Sequence, residues 1–363
     1  MSLKDFRSTL LDRLTTFAWR QWSALGVLGS VGAEEEWVLD PEPLLVFSLE
    51  IGRYEPRLFD EVLKWILVNG EWLDVVRLRN ILKNRLDDEA ALRLAGAAIS
   101  LAAAKGDRRK WASLAGFLGR VWGERYPNRS EEVLFKGESG QPHPSVPHEM
   151  ADPNFSFFGL NRPRARVAEK EAYHTPLKVP INARTNMRFL LRSLFGAGAK
   201  SEAVLYLLTH EGGHPREIAD AVGLFWLSIH QAILELSKSG LVLTRSKGKK
   251  VEYWLSQPKW WDFLASSDYE TTRPPKYLNW IAIFSALSTA WKTVDEIALS
   301  DQSDYMKSSK LHDSLEVVAH EFARAGYDIS RMPRPGLPPD LHQKMALRFL
   351  GEIVGMKEES ATV

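Results

Sequence analysis

The sequence predicts a mainly helical protein with one departure, a helix, tight turn, second helix and β-hairpin between residues 215 and 255. Three observations carry this prediction. Apolar residues recur at helical spacing through the first 125 residues and again after residue 276. Pro215 and Gly223 bracket one short helix, and Gly240 closes the next. Two runs rich in strand formers, Leu241–Arg245 and Val251–Leu255, then flank Ser246-Lys247-Gly248-Lys249.

Residues 1–125 read as an N-terminal helical domain. Leu3–Leu25 places Phe6, Leu10, Leu14 and Phe17 on one face. Pro41 or Pro43 starts a second helix containing Leu44, Leu45, Phe47 and Leu49. Leu58–Val68 is the third, ended by Asn69-Gly70. Trp72–Leu82, Glu89–Ala104 and Lys110–Trp122 continue the pattern, and Glu34-Glu35-Glu36 reads as a solvated loop. Residues 126–184 change texture. Pro127, Pro142, Pro144, Pro147, Pro153, Pro163, Pro176 and Pro180 break any long helix. Asn154–Leu160 is aromatic enough to clip this segment to a neighbour. Arg162, Arg164, Arg166, Lys170, Lys178 and Arg184 make it a basic linker, read either as a hydrated connection or as an arm along a phosphate backbone.

Residues 185–258 hold the departure. Pro215 suits the first helical position, and Ile218, Ala219 and Val222 share one face. Ala219 is small enough for a second helix to cross closely. Gly223 tolerates the positive φ of a tight turn, and Leu224 plugs the corner. Ile229, Ile233 and Leu236 form the buried stripe of the second helix. This stretch resembles the winged helix-turn-helix of ArsR-like and MarR-like transcriptional regulators. The match is carried by Ala219, Gly223, Ile229 and Ser239-Gly240-Leu241-Val242. Upstream, Lys200–Leu208 is similar to their first core helix, with Ser201 as its N-cap. The resemblance covers about a fifth of the chain.

It implies a second helix lying in the major groove of duplex DNA and a wing on the backbone. Trp226, Ser228, His230 and Gln231 then face base edges, and Arg245, Lys247, Lys249 and Lys250 face phosphates. The chain departs from the family at Phe225-Trp226-Leu227-Ser228, where a Ser- and Gln-rich run is usual. Three large apolar residues offer one donor, the Trp226 indole N–H. They are expected either against thymine methyls and sugars or buried against another domain or a partner.

Residues 259–363 complete the chain. Trp260, Trp261 and Phe263 begin a short helix, and Pro274-Pro275 marks a boundary. Helices are expected at about 276–297, 303–326 and 339–355. Tyr277, Trp280, Ile281, Phe284 and Leu287 form one stripe, and Leu311, Leu315, Val318 and Phe322 another. These stripes suit either a two-fold dimer or an intrachain core.

Composition narrows the function. Net charge is +1 over 363 residues, so affinity for a polyanion must come from local patches. The sequence has no Cys, which excludes a disulfide framework, a thiolate zinc site and a cysteine nucleophile and fits a cytoplasmic location. Neither a signal-peptide core nor a run of about 20 apolar residues is expected to direct it to a membrane.

Enzyme motifs fail on context. His210-Glu211-Gly212-Gly213-His214 matches H-E-x-x-H, but that motif needs a helix, and two glycines and Pro215 put this one between helices. His320-Glu321 has Arg324 where a second His is needed. Gly196-Ala197-Gly198-Ala199-Lys200-Ser201 has the wrong spacing for a phosphate loop. No catalytic residue, metal ligand or cofactor is assigned. The expectation is a dimeric repressor that binds double-stranded DNA. The alternative is a protein-interaction scaffold, such as the antidote half of a toxin–antidote or defence module.

Overall fold

The structure is a computed structural model that describes residues 2–27, 37–127, 130–164, 178–247, 250–264, 275–334 and 336–353. Side-chain chemistry explains where the first helices begin. α1 (Leu3–Ala24) opens on a reciprocal capping box between Ser2 and Asp5. α2 (Pro41–Ile51) and α3 (Pro56–Asn69) each open with proline in the first turn. α4 (Val75–Lys83), α5 (Glu89–Lys105) and α6 (Arg108–Arg125) are N-capped by Asp74, Asp88 and Asp107. The expected helix over Trp72–Leu82 is thus shorter: Gly70–Trp72 is a 3-10 turn, and the Asp74 carboxylate draws the start to Val75.

Within the proline-rich stretch, residues 130–164 form short paired elements. β1 (Glu132–Val133) pairs in parallel with β2 (Leu160–Asn161), and the one-turn helix α7 (Pro153–Ser156) precedes β2. Phe155, Phe158 and Leu160 are buried in the main core, so the aromatic clip forms. The basic arm is partly spent. Arg162 is buried, pairs with Asp60 at 2.6 Å and lies over the Phe155 ring. Arg166 and Lys170, like Glu34–Glu36, lie outside the described residues.

Next come α8 (Met187–Phe195), α9 (Ala199–Thr209), α10 (Pro215–Val222) and α11 (Trp226–Lys238). The antiparallel strands β3 (Leu243–Lys247) and β4 (Lys250–Trp254) follow, then α12 (Gln257–Leu264). Two boundaries differ from expectation. α9 begins at Ala199 with Gly198 as N-cap, and Ser201 instead sits inside the first turn, its hydroxyl donating to the Gly198 carbonyl. The hairpin strands pair up to Lys247 and Lys250, two residues nearer the tip than the predicted first strand end.

α13 (Trp280–Leu299), α14 (Asp304–Arg324) and α15 (Pro339–Ile353) close the chain. They do not stand apart. α13 packs on α1, α2 and α14, and α15 on α1 and α14. Trp280, Phe284, Leu287, Leu311, Leu315, Val318 and Phe322 are all buried in one core with Phe6, Leu14, Phe47 and Trp65. The two stripes considered for dimerisation are therefore intrachain core. Each such side chain contributes about 1.5–3 kcal/mol by leaving water. Tyr277 precedes α13 rather than belonging to its stripe.

A second, smaller core lies within residues 187–264 and contains Leu205, Ile218, Val222, Ile229, Ile233, Val242, Tyr253 and Trp260. Val38 also belongs to it, so the chain before α2 threads between the two cores. The Val38 N–H donates to Lys276, and the Trp280 indole donates to Val38. Among the described residues no helix is long and apolar enough to cross a membrane.

Candidate functional site

The α10–α11 corner follows from local sequence. Gly223 ends α10 with φ of 74°, in the left-handed region where a side chain is strained. Its N–H and that of Leu224 both return to the Ala219 carbonyl. Leu224 is half-buried against the small core, as its corner position predicts. α11 buries Ile229, Ala232, Ile233 and Leu236 and turns its other face outward. Gly240, with φ of 75°, reverses the chain toward β3.

The connection before α10 explains the double glycine. Gly213 exchanges two backbone hydrogen bonds with Tyr253, at 2.9 and 3.0 Å, and so adds a one-residue third strand to the hairpin. A Cβ on Gly213 would lie 2.9 Å from the Tyr206 ring, and one on Gly212 would lie 2.9 Å from the Tyr253 carbonyl oxygen. His210 and His214 have separate local tasks. The His210 ring stacks on Tyr206 at 3.8 Å, and burial lowers its pKa. The His214 ring caps Arg216 N–H at the start of α10, while Glu217 reaches back to the His214 N–H.

The expected reading edge is exposed. Phe225, Trp226 and Leu227 are 60, 42 and 59% accessible, so the described residues leave them largely uncovered. No side chain caps α11, whose first N–H groups are left open. Ser228 and Gln231 are exposed and His230 is half-buried. Trp226 is held between two neighbours: the Arg216 guanidinium lies 5.5 Å from its ring, and the His230 ring lies 6.0 Å away. Gln231 donates to Glu235 at 3.3 Å, and Glu235 pairs with Lys200 at 2.8 Å. Leu234 is exposed one turn beyond Gln231.

The hairpin carries Arg245, Lys247 and Lys250 on its strands, and Lys249 lies outside the described residues. Arg245 pairs across the hairpin with Glu252 at 3.0 Å. That exposed pair is worth at most about 1 kcal/mol and yields readily to a competing anion. The electrostatics of the edge are mixed, because Glu217, Asp220 and Glu235 stand near Trp226 and Gln231.

Sequence reasoning missed how this corner is anchored. Three donors from outside it meet the last carbonyls of α10. The Tyr277 hydroxyl donates to Ala221 at 3.0 Å, the Arg77 guanidinium to Val222, and the Asn80 amide to Gly223 at 3.3 Å. Arg77 is itself fully buried, with its other nitrogens on Asp40 and Glu42. Glu42 also pairs with Arg192 at 2.7 Å, which pairs with Glu202 at 2.7 Å; Arg188 joins Glu202 to Asp40. Burial alone would push the Glu202 carboxyl up, but Arg188 and Arg192 overcome it and hold it down to about 2. Glu42 is likewise held well below the usual carboxylate range, burial being overcome by Arg192 and Arg77. The only local hint of this network was acidic residues beside Pro41 and arginines inside apolar stretches.

No family model, curated protein or solved structure matches this chain.

Proposed function

We propose that the chain is a sequence-specific regulator that binds double-stranded DNA through a winged helix-turn-helix formed by residues 185–258. The observation that supports this best is the order of α10, a left-handed glycine corner and α11, followed by a hairpin that takes Gly213 as a third strand. That order leaves the start of α11 without a side-chain cap and exposed. In this reading α11 enters the major groove. Trp226 and Leu227 pack on thymine methyls or sugars, and Ser228, His230 and Gln231 supply hydrogen bonds. Arg245, Lys247, Lys249 and Lys250 lie on the backbone. The regulator acts as a homodimer on a palindromic operator, with half-sites about one helical turn apart. Its dimer contact uses surfaces other than the buried stripes of α13 and α14.

Footprinting on duplex DNA from the gene's own promoter tests the reading. The expected result is a protected site whose affinity falls with salt, with about 0.9 in slope per phosphate contact. A Lys249→Ala/Lys250→Ala variant should bind more weakly and with a shallower slope. Absence of any protected site at low salt would overturn the proposal.

A second reading is favoured by one observation, the three exposed apolar residues at 225–227. They would dock a protein partner, with the chain as the antidote or autorepressor half of a two-gene module. Trp226→Ala separates the two. It should abolish co-purification with a neighbouring gene product under the docking reading, but only weaken DNA binding under the first.

A further inference from the structure

We infer that the cleft between α2, α4, α13 and α14 is a binding site for a small aromatic carboxylate, and that its occupancy is felt at the α10–α11 corner. The cavity measures about 270 Å³, just below the range of drug-sized sites, roughly 300 to 1,000 Å³, and so suits a smaller ligand. Two buried aromatic residues border the cavity: Phe47 and Phe284 lie 4.9 Å apart at 31°, and behind them Phe284 stacks on Trp280 at 5.3 Å. Ile81 and Ile281 form an aliphatic wall. A small flat ring suits a lining of this kind.

The rim selects for an anion. Its charged residues are two guanidiniums, Arg85 and Arg324, against one carboxylate, Glu321. Glu321 pairs with one Arg324 nitrogen, Nη2, at 2.8 Å, which leaves the rest of that guanidinium for a ligand. Arg85 spends one terminal nitrogen on Glu50 and Asp88, at 2.6 and 2.9 Å. Among the described residues the other makes a 3.5 Å contact with Ser288, which leaves it a donor for a ligand carboxylate. Ser285 adds a hydroxyl to the lining.

The link to the corner is direct contact. A Cβ placed on Gly223 would lie 2.6 Å from Ile281 Cδ1 and 3.9 Å from Ile81 Cγ1. The same two isoleucines line the cleft. A ligand that changes either rotamer therefore changes what the turn packs against. Asn80, one residue before Ile81, also donates to the Gly223 carbonyl. The effect on DNA rests on the proposed function; binding and its effect on the turn do not. Coupling of this kind changes affinity by roughly 5–150-fold.

The test is a ligand-observed NMR titration of the full chain with 1-naphthoate. Saturable binding is expected, with a dissociation constant of about 1 mM or tighter. Ser285→Trp fills the cleft and should abolish it, whereas Phe225→Ser/Leu227→Ser, which removes the exposed apolar edge of α11, should leave it unchanged. Arg324→Gln, at an exposed position, should weaken 1-naphthoate but not the neutral 1-naphthalenemethanol. Bound 1-naphthoate should change hydrogen exchange of the 222–226 amides. No saturable binding, or binding that survives Ser285→Trp but is lost in the Phe225→Ser/Leu227→Ser variant, overturns the site. Binding with unchanged exchange at 222–226 overturns the coupling. A chain that binds 1-naphthoate with altered exchange yet protects no DNA overturns the DNA reading and leaves the site standing.

Discussion

Gly223 joins backbone geometry, packing and the proposed reading edge in one residue. Its φ of 74° and the 2.6 Å approach of Ile281 to the place of a Cβ each disfavour any side chain. Gly223→Ala should therefore cost about 1–3 kcal/mol, measured by urea denaturation. A change below about 0.5 kcal/mol would show that the corner is free to adjust. The residues around it were unevenly legible. The need for Gly223 reads directly from the helix on either side. The need for Gly212 and Gly213 does not, because it comes from Tyr253 and Tyr206, brought close only by folding. Tyr277 shows the same limit. It fits a helical apolar stripe by spacing, yet its hydroxyl serves a carbonyl at Ala221, a use that spacing alone does not reveal.

At the scale of elements, α10, α11 and the hairpin were legible because their signals are local: Pro215, the Ile229–Leu236 stripe and Gly240. The joint between α2, α4, α8 and α9 was not. Asp40, Glu42, Arg77, Arg188, Arg192 and Glu202 form a network of three acids and three arginines buried together. Charged residues are ordinarily a solvated face, so only their tertiary pairing reveals this use. The joint gives stability a pH dependence. Glu42 and Glu202 have folded pKa values below their ordinary 4.5, so their contribution is complete above about pH 4.5 and is lost as pH falls toward about 2. Asp74 acts in the opposite sense, because burial and then Glu42 raise its carboxyl, so protonating it favours the folded state. The two glutamates outweigh the one aspartate. Urea midpoints should fall steadily from pH 5 to pH 3, with most of the fall below pH 4.5. A flat profile across that range would show that folding does not lower the proton affinity of the buried carboxylates.

For the whole molecule, the ends of the chain build one core. Phe17 of α1 meets Trp280 and Phe284 of α13, each with ring centroids 5.9 Å apart. The Arg7 guanidinium pairs with Asp295 and lies 5.2 Å from the Trp291 ring. A fragment ending at residue 264 lacks α13–α15 and should lose the cooperative near-ultraviolet melting transition of its first six helices. A sharp transition in that fragment would mean that α1–α6 close on their own. The same architecture sets a timetable for synthesis. Arg7 and Asp295 are 288 residues apart, so at 5–20 residues per second roughly 15–60 s separate their emergence from the ribosome. During that interval the faces of α1 and α2 that await α13 stay uncovered. The nascent chain is thus exposed to aggregation and to chaperone capture before α13 exists, and slow translation of the stretch leading to it lengthens the exposure.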